Sequence, residues 1–228
     1  MIKSSTLEFL RDLSQHNVRE WFQEHKHRYE AARENMIEVA ENLHDAMSEV
    51  DNIEIMEGKK MVFRIYRDVR FSKNKAPYKD HLSGFLKRAT DQLRGGYYFE
   101  VKPGASFQGG GFWGPNKEDL MRIRTAIADD DQPLREIISD PTFIRLFGEM
   151  KGDQLKTAPR GFPKDHPAVD LLRYKQFLVY RTFTDEEILS ESFVDLLVEG
   201  YIGMRPFFDY MSEVLTTDGN GLPLYGSD

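Results

Sequence analysis

The chain has 228 residues, carries a formal net charge of −7 at pH 7 and contains no cysteine. The lack of cysteine excludes disulfides, thiolate catalysis and cysteine-based zinc or iron–sulfur sites. A hydrophobic content of 40% is enough for a substantial core, so we do not expect disorder. Neither a signal-peptide pattern nor a membrane-spanning apolar run is present in the sequence. We therefore expect a soluble cytoplasmic protein that contacts no membrane.

The first quarter of the chain has the pattern of helices. Ser5 followed by Glu8, and Asn17 followed by Glu20, match the capping box that begins many helices. From Asn17 to Val50, apolar residues recur at steps of three and four, which predicts one long amphipathic helix. That apolar stripe consists of Val18, Trp21, Phe22, His25, Tyr29, Ala32, Met36, Ala40, Leu43, Met47 and Val50.

The middle of the chain has the pattern of strands. Apolar and polar positions alternate in MVFRIY, residues 61–66, which predicts a half-buried strand. Three further strands are predicted in SGFLKRA (83–89), GYYFEVKP (96–103) and ASFQGGGFW (105–113). Their short separations favour an antiparallel meander. We expect the adjacent rings in GYYF to pack in a core strand.

Helices are predicted again in the last half. Asn116 has the position of an N-cap, and prolines divide residues 131–175 into short helices. A strand, FLVYRTF, is predicted at 177–183, and Thr184 with Glu187 forms a capping box before a last helical region. We expect that region to be bent or divided by Gly200, Gly203 and Pro206.

These patterns predict an α+β fold in which an antiparallel meander sheet is flanked by N-terminal and C-terminal helices. Because no linker-like stretch interrupts the middle of the chain, we expect a single domain over residues 1–217. The remaining residues, 218–228, are predicted to form a mobile C-terminal tail.

Positive charge is concentrated in one short stretch of this acidic chain, FRIYRDVRFSKNKAPYKDH, residues 63–81, which we call the basic segment. Residues 59–94 hold eleven Lys or Arg against three Asp or Glu, so this part carries +8 and the remainder −15. If residues 62–70 are extended, period-two geometry places four side chains on one face. These are Arg64, Tyr66, Asp68 and Arg70.

Two guanidiniums on one face could hold a phosphate or carboxylate bidentately, with Asp68 orienting one of them. Lys73, Lys75 and Lys79 would steer the anion, and Tyr66 and Tyr78 would donate hydrogen bonds. The predicted partner is thus an anionic small molecule or a phosphate-bearing ligand. The same residues are compatible with a nucleic-acid or protein partner, or with a solvated surface that only balances the protein's own acidic groups.

His81 is the one group near the basic segment that could act as a general acid or base near neutral pH. It is therefore the candidate catalytic residue if a reaction occurs. No cofactor is predicted. The sequence leaves open whether the protein is an enzyme.

Three consecutive glycines at 109–111 precede a predicted helix, where backbone amides could approach a phosphate. No P-loop lysine follows, and Glu118 and Asp119 already lie in the first helical turn, where they would repel an anion. A bulged or tightly packed strand that makes room for Phe112 and Trp113 is the favoured interpretation.

Two Asp-His pairs, at 80–81 and 165–166, would form a metal site only if they converged in space. For PKDHPAVDLL, a simpler interpretation is that Asp165 or His166 caps a helix whose first turn contains Pro167. We therefore predict no metal site.

Four segments resemble the domain-of-unknown-function family 2461, a family of conserved hypothetical microbial proteins. They are FLRDLSQHNVREWF, FRIYRDVRFSKNKAPYK, GGGFW and PRGFPKDHPAVDLLRYKQF, so the likeness covers nearly the whole chain. The chain departs from the family pattern at Asn74, where the pattern has an acidic residue. The resemblance implies a single-domain protein of the bacterial or fungal cytosol. It assigns no reaction, cofactor or catalytic residue to this chain.

Overall fold

A computed structural model of the protein describes residues 1–218 and 222–224. Of the predicted mobile tail, residues 219–221 and 225–228 lie outside the described residues. The described part returns towards the end of the last helix. There the amide of Asp218 donates to the carbonyl of Leu222, and the amide of Leu224 donates to that of Thr216, each at 2.8 Å.

The described residues form ten helices and four strands. The helices are α1 (Ser4–Gln15), α2 (Arg19–Glu24), α3 (Lys26–Ser48), α4 (Gly58–Met61), α5 (Lys117–Asp129), α6 (Gln132–Ser139), α7 (Pro141–Phe147), α8 (Val169–Leu172), α9 (Asp185–Leu189) and α10 (Phe193–Thr216). The strands are β1 (Leu82–Lys87), β2 (Gly96–Val101), β3 (Ser106–Phe112) and β4 (Phe177–Phe183). They form one sheet in the order β1-β2-β3-β4. The predicted α+β class and antiparallel meander are confirmed.

The chain forms two compact units. The first contains Met1–Lys87, Tyr97–Gln108 and Thr182–Glu199. The second contains Arg88–Gly96, Gly109–Arg181 and the described part of Gly200–Asp228. That residues 1–217 unfold as a single cooperative domain stays a prediction.

The core of the first unit lies between α1 and α3 and under β2. Helix α3 buries the predicted apolar stripe from Tyr29 to Met47, whereas Val18, at the start of the stripe, is exposed. Strand β2 buries Tyr97 and Phe99, as expected for a core strand. The predicted helix over 17–50 is in fact two helices, because His25 leaves the helical region with φ −104° and ψ 17°. The His25 ring stacks on Trp21 at 4.2 Å, at the edge of the core.

Helix starts were predicted correctly where the cap is local. Asn116 Oδ1 accepts the amide of Asp119 at 2.8 Å, and Thr184 with Glu187 forms a complete capping box. The caps predicted at Ser5 and Asn17 are wrong. Helix α1 begins after Lys3 and α2 after Val18, neither of which has a side-chain cap.

The glycines of the second unit allow close packing. A Cβ on Gly111, where φ is +130°, would lie 2.2 Å from the carbonyl oxygen of Phe177, and one on Gly110 would lie 2.4 Å from the Phe208 ring. The tightly packed strand is thereby confirmed and the amides are not open to a phosphate. Phe112 is buried, but Trp113 is exposed, so the glycines do not make room for Trp113.

Helix α10 passes through Gly200, Gly203 and Pro206 without being divided. At Gly203 the reason is close packing, since a Cβ there would lie 2.6 Å from the Leu146 side chain. The predicted short helices are confirmed at α6 and α7, each of which has a proline in its first turn.

Candidate functional site

The backbone of the basic segment is held by hydrogen bonds but does not form a regular strand. The strand predicted at 61–66 is wrong: Met61 ends α4, and only single bridges join Val62 to Gly84 and Tyr66 to Tyr78. Between them, the amide of Lys79 donates to the carbonyl of Ile65 at 2.8 Å. Because the opposing run contains a proline, which has no amide hydrogen, a regular ladder cannot continue.

The loop at 68–76 is closed by two of its own cations. Arg67 Nη1 donates to the carbonyl of Ala76 at 3.1 Å, and Lys75 Nζ donates to that of Val69 at 3.0 Å. Lys75, predicted to steer an anion, is thus a hydrogen-bond donor to the loop itself. Part of the positive charge in the basic segment therefore has a structural role.

Arg70 is engaged by Asp68 in a bidentate pair. Its Nε lies 3.0 Å from Oδ1 and its Nη2 lies 2.6 Å from Oδ2. The hydrogen bonds from Arg70 hold the pKa of Asp68 below its usual value. Asp68 does orient this guanidinium, as predicted, but it also neutralises it. Both side chains are exposed, so solvent screens the pair.

Three cations of the basic segment make no side-chain hydrogen bond or ion pair with any described residue, and we call them the open cations. They are Arg64, Lys73 and Lys79. Arg64 and Lys73 are exposed, whereas Lys79 is half-buried, with its Nζ 5.4 Å from the centre of the Phe63 ring. The charge in the basic segment is therefore divided between structural and open cations.

Exposed rings accompany the open cations. Phe63 is 40%, Tyr66 50% and Phe71 97% exposed. These are three of the five exposed aromatic residues in the part of the chain that the structure describes, the others being Trp113 and Tyr180.

Tyr78, predicted to donate to a ligand, is only 4% exposed and stacks on Phe22 at 3.9 Å. Burial raises the pKa of Tyr78. Its backbone is clamped by Asn17, whose side-chain oxygen accepts the Tyr78 amide at 3.1 Å and whose side-chain nitrogen donates to the Tyr78 carbonyl at 3.0 Å. This contact explains why Asn17 does not cap α2. Tyr78 supports the segment from within the core of the first unit.

His81 lies between two carboxylates. Its Nδ1 is 3.2 Å from Asp80 Oδ1, and its Nε2 is 3.4 Å from Glu100 Oε2. Tyr98 Oη donates to Glu100 Oε2 at 2.7 Å, and Lys102 pairs with Asp80 at 2.7 Å. Because both ring nitrogens are engaged, this arrangement favours a positioning role for His81 over general acid–base work.

Burial alone would raise the pKa of Asp80, but hydrogen bonds from Lys102 and His81 lower it below its usual value. Burial also raises the pKa of Tyr98. The sequence analysis did not connect His81 with Tyr98, Glu100 and Lys102. The available signal was their period-two spacing, which places all three on one face of β2 and its extension.

Beside the basic segment lies a shallow groove of about 530 Å³. It is lined by Asn17, Val18, Arg19, Glu20, Val69, Lys75, Ala76 and Pro77. A second cleft, of about 390 Å³, lies in the second unit near α7 and α8. Its charged groups are engaged, since Asp170 pairs with Arg135 and Arg173 donates to the carbonyl of Leu155.

The prediction that Asp165 or His166 caps a helix whose first turn contains Pro167 is only partly right. Helix α8 begins at Val169, after Pro167, and has no side-chain N-cap. His166 Nδ1 accepts the amide of Ala168 at 3.1 Å, whereas Asp165 is exposed. Of the two residues, only His166 stabilises the start of this turn.

Two further findings concern the described residues as a whole. Among residues 1–218 and 222–224, no group of three or more histidine or acidic side chains is placed to hold a metal ion. In the same part of the chain, no helix is both long and apolar enough to cross a bilayer.

Comparison with known proteins finds a family and nothing narrower. Neither the curated proteins nor the solved structures contain a significant match to this chain. The family model described as "Conserved hypothetical protein (DUF2461)" matches residues 5–210. Since this match covers most of the chain, the protein belongs to the DUF2461 family.

Proposed function

We propose that the protein binds an anionic ligand through the open cations of the basic segment. The observation that carries the proposal is that Arg64, Lys73 and Lys79 make no side-chain hydrogen bond or ion pair with any described residue, although Lys79 lies over the Phe63 ring. The chain has 38 acidic against 31 basic residues, so potential partners are abundant. Cations left unpaired in such a protein create a local positive field that attracts anions.

Arg64 is the residue best suited to hold the anion. Its planar guanidinium can donate two parallel hydrogen bonds to a phosphate or a carboxylate. The backbone on both sides of it is fixed, because the amide of Phe63 donates to Ser83 at 2.9 Å and the carbonyl of Ile65 accepts from Lys79 at 2.8 Å. Because the backbone is already fixed, only the side-chain rotamers of Arg64 lose freedom when it binds.

The proposal is one of binding rather than catalysis. His81 is the residue predicted to act as acid or base near neutral pH, and both of its ring nitrogens face carboxylates.

The cysteine-free composition accords with a reducing compartment. We propose that this binding occurs in the cytoplasm.

Thermal unfolding in inorganic phosphate tests the proposal, with chloride used to keep ionic strength constant. Phosphate at ten times its dissociation constant should stabilise the protein by about 1.4 kcal/mol. Arg64→Ala should abolish that stabilisation, because it removes the bidentate donor. Arg160→Ala should retain it, since Arg160 is an exposed arginine outside the basic segment.

Lys73→Ala should only weaken the stabilisation by phosphate, because a lysine attracts the anion as a point charge and cannot donate two parallel hydrogen bonds to it. No response in the unmodified protein would contradict the proposal. So would a response that Arg64→Ala and Arg160→Ala preserve equally, because phosphate would then act without a specific site.

A further inference from the structure

Resting on the anion-binding function proposed above, we infer that the ligand is a single-stranded nucleic acid whose bases stack on exposed rings of the basic segment. The rings are those of Phe63, Tyr66 and Phe71. The open cations Arg64, Lys73 and Lys79 would contact the phosphates. Rings among cations are the combination by which proteins bind single strands without reading their sequence.

The exposure of these rings has no structural explanation. Phe71 is almost fully exposed at a loop position and has Arg70 5.9 Å from its ring centre. A single exposed apolar side chain is ordinary on a protein surface. Three exposed rings within nine residues, with the open cation Arg64 among them, indicate a surface that binds a partner.

Two of the rings are rigidly supported. Phe63 lies at the end of a row of rings, 5.0 Å from Phe85 and 6.1 Å from Tyr98. Tyr66 lies 5.5 Å from Tyr78 and 6.0 Å from Phe22, which belong to the core of the first unit. A ring that is fixed on one side and open on the other offers a stacking surface at little entropic cost.

Two carboxylates near these rings would not repel a phosphate strongly, because each is already paired with a cation. Asp68 is neutralised by Arg70, and Asp80 by Lys102. The open cations remain available to the phosphates of a strand, which carries one charge per nucleotide.

Other anionic partners use fewer of these features. A small anion would need the cations but not the rings, and the groove beside them is shallow. A duplex keeps its bases stacked inside, so exposed rings could not reach them without unstacking. An anionic bilayer could take up Phe71, but Phe63 and Tyr66 are held against the protein and could not insert with it.

Fluorescence anisotropy with a labelled oligothymidine longer than about 16 nucleotides tests the inference. The full chain should bind this strand, and log K should fall with log salt at a slope of about −2 for three phosphate contacts on a single strand. Arg64→Ala should reduce the slope to about −1.4, which corresponds to two contacts.

Phe71→Ala separates the inference from the proposed function. It should weaken oligothymidine binding by about fivefold or more, the loss expected for one stacked base. It should leave the phosphate-dependent thermal shift unchanged, because no cation is removed. The side chain is almost fully exposed, so the variant should fold. Trp113→Ala is the matched control, an exposed ring outside the segment that should leave both readouts unchanged.

Several results would overturn the inference. If phosphate stabilises the protein through Arg64 but oligothymidine binding is absent or insensitive to Phe71→Ala, the anion site stands without a nucleic-acid role. Equal affinity for the matched duplex would show that backbone charge alone is recognised. Equal losses in Phe71→Ala and Trp113→Ala would indicate unspecific contact. Binding to phosphatidylglycerol vesicles, without binding to the strand, would assign the surface to a membrane. If neither phosphate nor oligothymidine binds, the proposed function fails as well.

Discussion

Two arginines of the second unit, Arg124 and Arg135, contrast with Arg64 of the basic segment. Arg124 is 8% exposed and donates to the carbonyls of Leu172 and Tyr174, each at 2.9 Å. Arg135 is held by Asp131 at 2.6 Å and by Asp170 at 2.8 Å. Arg64, by contrast, is exposed and has no partner among the described residues. Within the basic segment, Arg67 and Arg70 also have partners, so the open state is a property of Arg64's own position.

The contrast between these arginines is tested by making the same substitution, Arg→Met, at Arg124 and at Arg64. Arg124→Met should lower the free energy of unfolding by about 3 kcal/mol, because two buried carbonyls lose a charged donor. Arg64→Met should change it by less than about 0.5 kcal/mol, since an exposed, unpaired side chain is lost. Chemical denaturation of the two variants beside the unmodified protein gives both values. Equal losses would mean that Arg64 has a structural role.

Asn17→Ala tests how firmly the basic segment is held. It removes both hydrogen bonds to the Tyr78 backbone and should lower the free energy of unfolding by about 2 kcal/mol. The phosphate-dependent thermal shift should decrease as well, because Tyr78 is bridged to Tyr66, next to the anion site. Asn52→Ala, at an exposed asparagine of the same unit, is the control. If Asn17→Ala changes neither the free energy of unfolding nor the phosphate-dependent thermal shift, Asn17 does not pre-organise the basic segment.

A smaller effect is expected at the start of α8. His166→Ala should lower the free energy of unfolding by about 0.5–1 kcal/mol, because the Ala168 amide loses its acceptor. Asp165→Ala should leave it unchanged, and denaturation measurements on the pair distinguish the two residues. The reverse order would restore Asp165 as the cap.

The smallest effect is the pH dependence of the Arg135 pair. The hydrogen bond from Arg135 lowers the pKa of Asp170 in the folded protein. The stability that the Arg135–Asp170 pair contributes is therefore present above the pKa of Asp170 in the unfolded chain, about 4. It is lost as pH falls through the lower pKa of Asp170 in the folded protein. The difference in stability between the unmodified protein and Arg135→Met, less than about 1 kcal/mol for so exposed a pair, should shrink on acidification. A difference independent of pH would contradict this ionic account.

Local signals predicted the fold where neighbours in sequence decide it. The Thr184–Glu187 box and the Asn116 cap each involve residues three apart, and both formed as predicted. Ser5 and Asn17 have the same pattern but do not cap. The amide of Lys3 is bound by Asn35, 32 residues away, and the side chain of Asn17 binds Tyr78, 61 residues away. Such distant partners leave no trace in local periodicity.

The candidate site could be predicted as a concentration of charge but not as a division of roles. The sequence shows that Arg64, Lys75 and Arg70 are basic and close together. It does not show that Lys75 binds the carbonyl of Val69, because that contact depends on the irregular path of the loop. Nor does the alternation of apolar and polar residues at 61–66 distinguish a strand from the isolated bridges that the structure has there. The open cations became visible only when the other cations had been assigned their partners.

The central claim, that Arg64 is open to an anion whereas Arg124 and Arg135 are held by their partners, is tested most directly by NMR. The side-chain Nε–H signals of Arg64, Arg124 and Arg135 would be followed during titration with inorganic phosphate and assigned through Arg→Lys variants. We predict a saturable shift of the Arg64 signal, while those of Arg124 and Arg135 stay in place. A stationary Arg64 signal, or equal shifts at all three, would contradict the account.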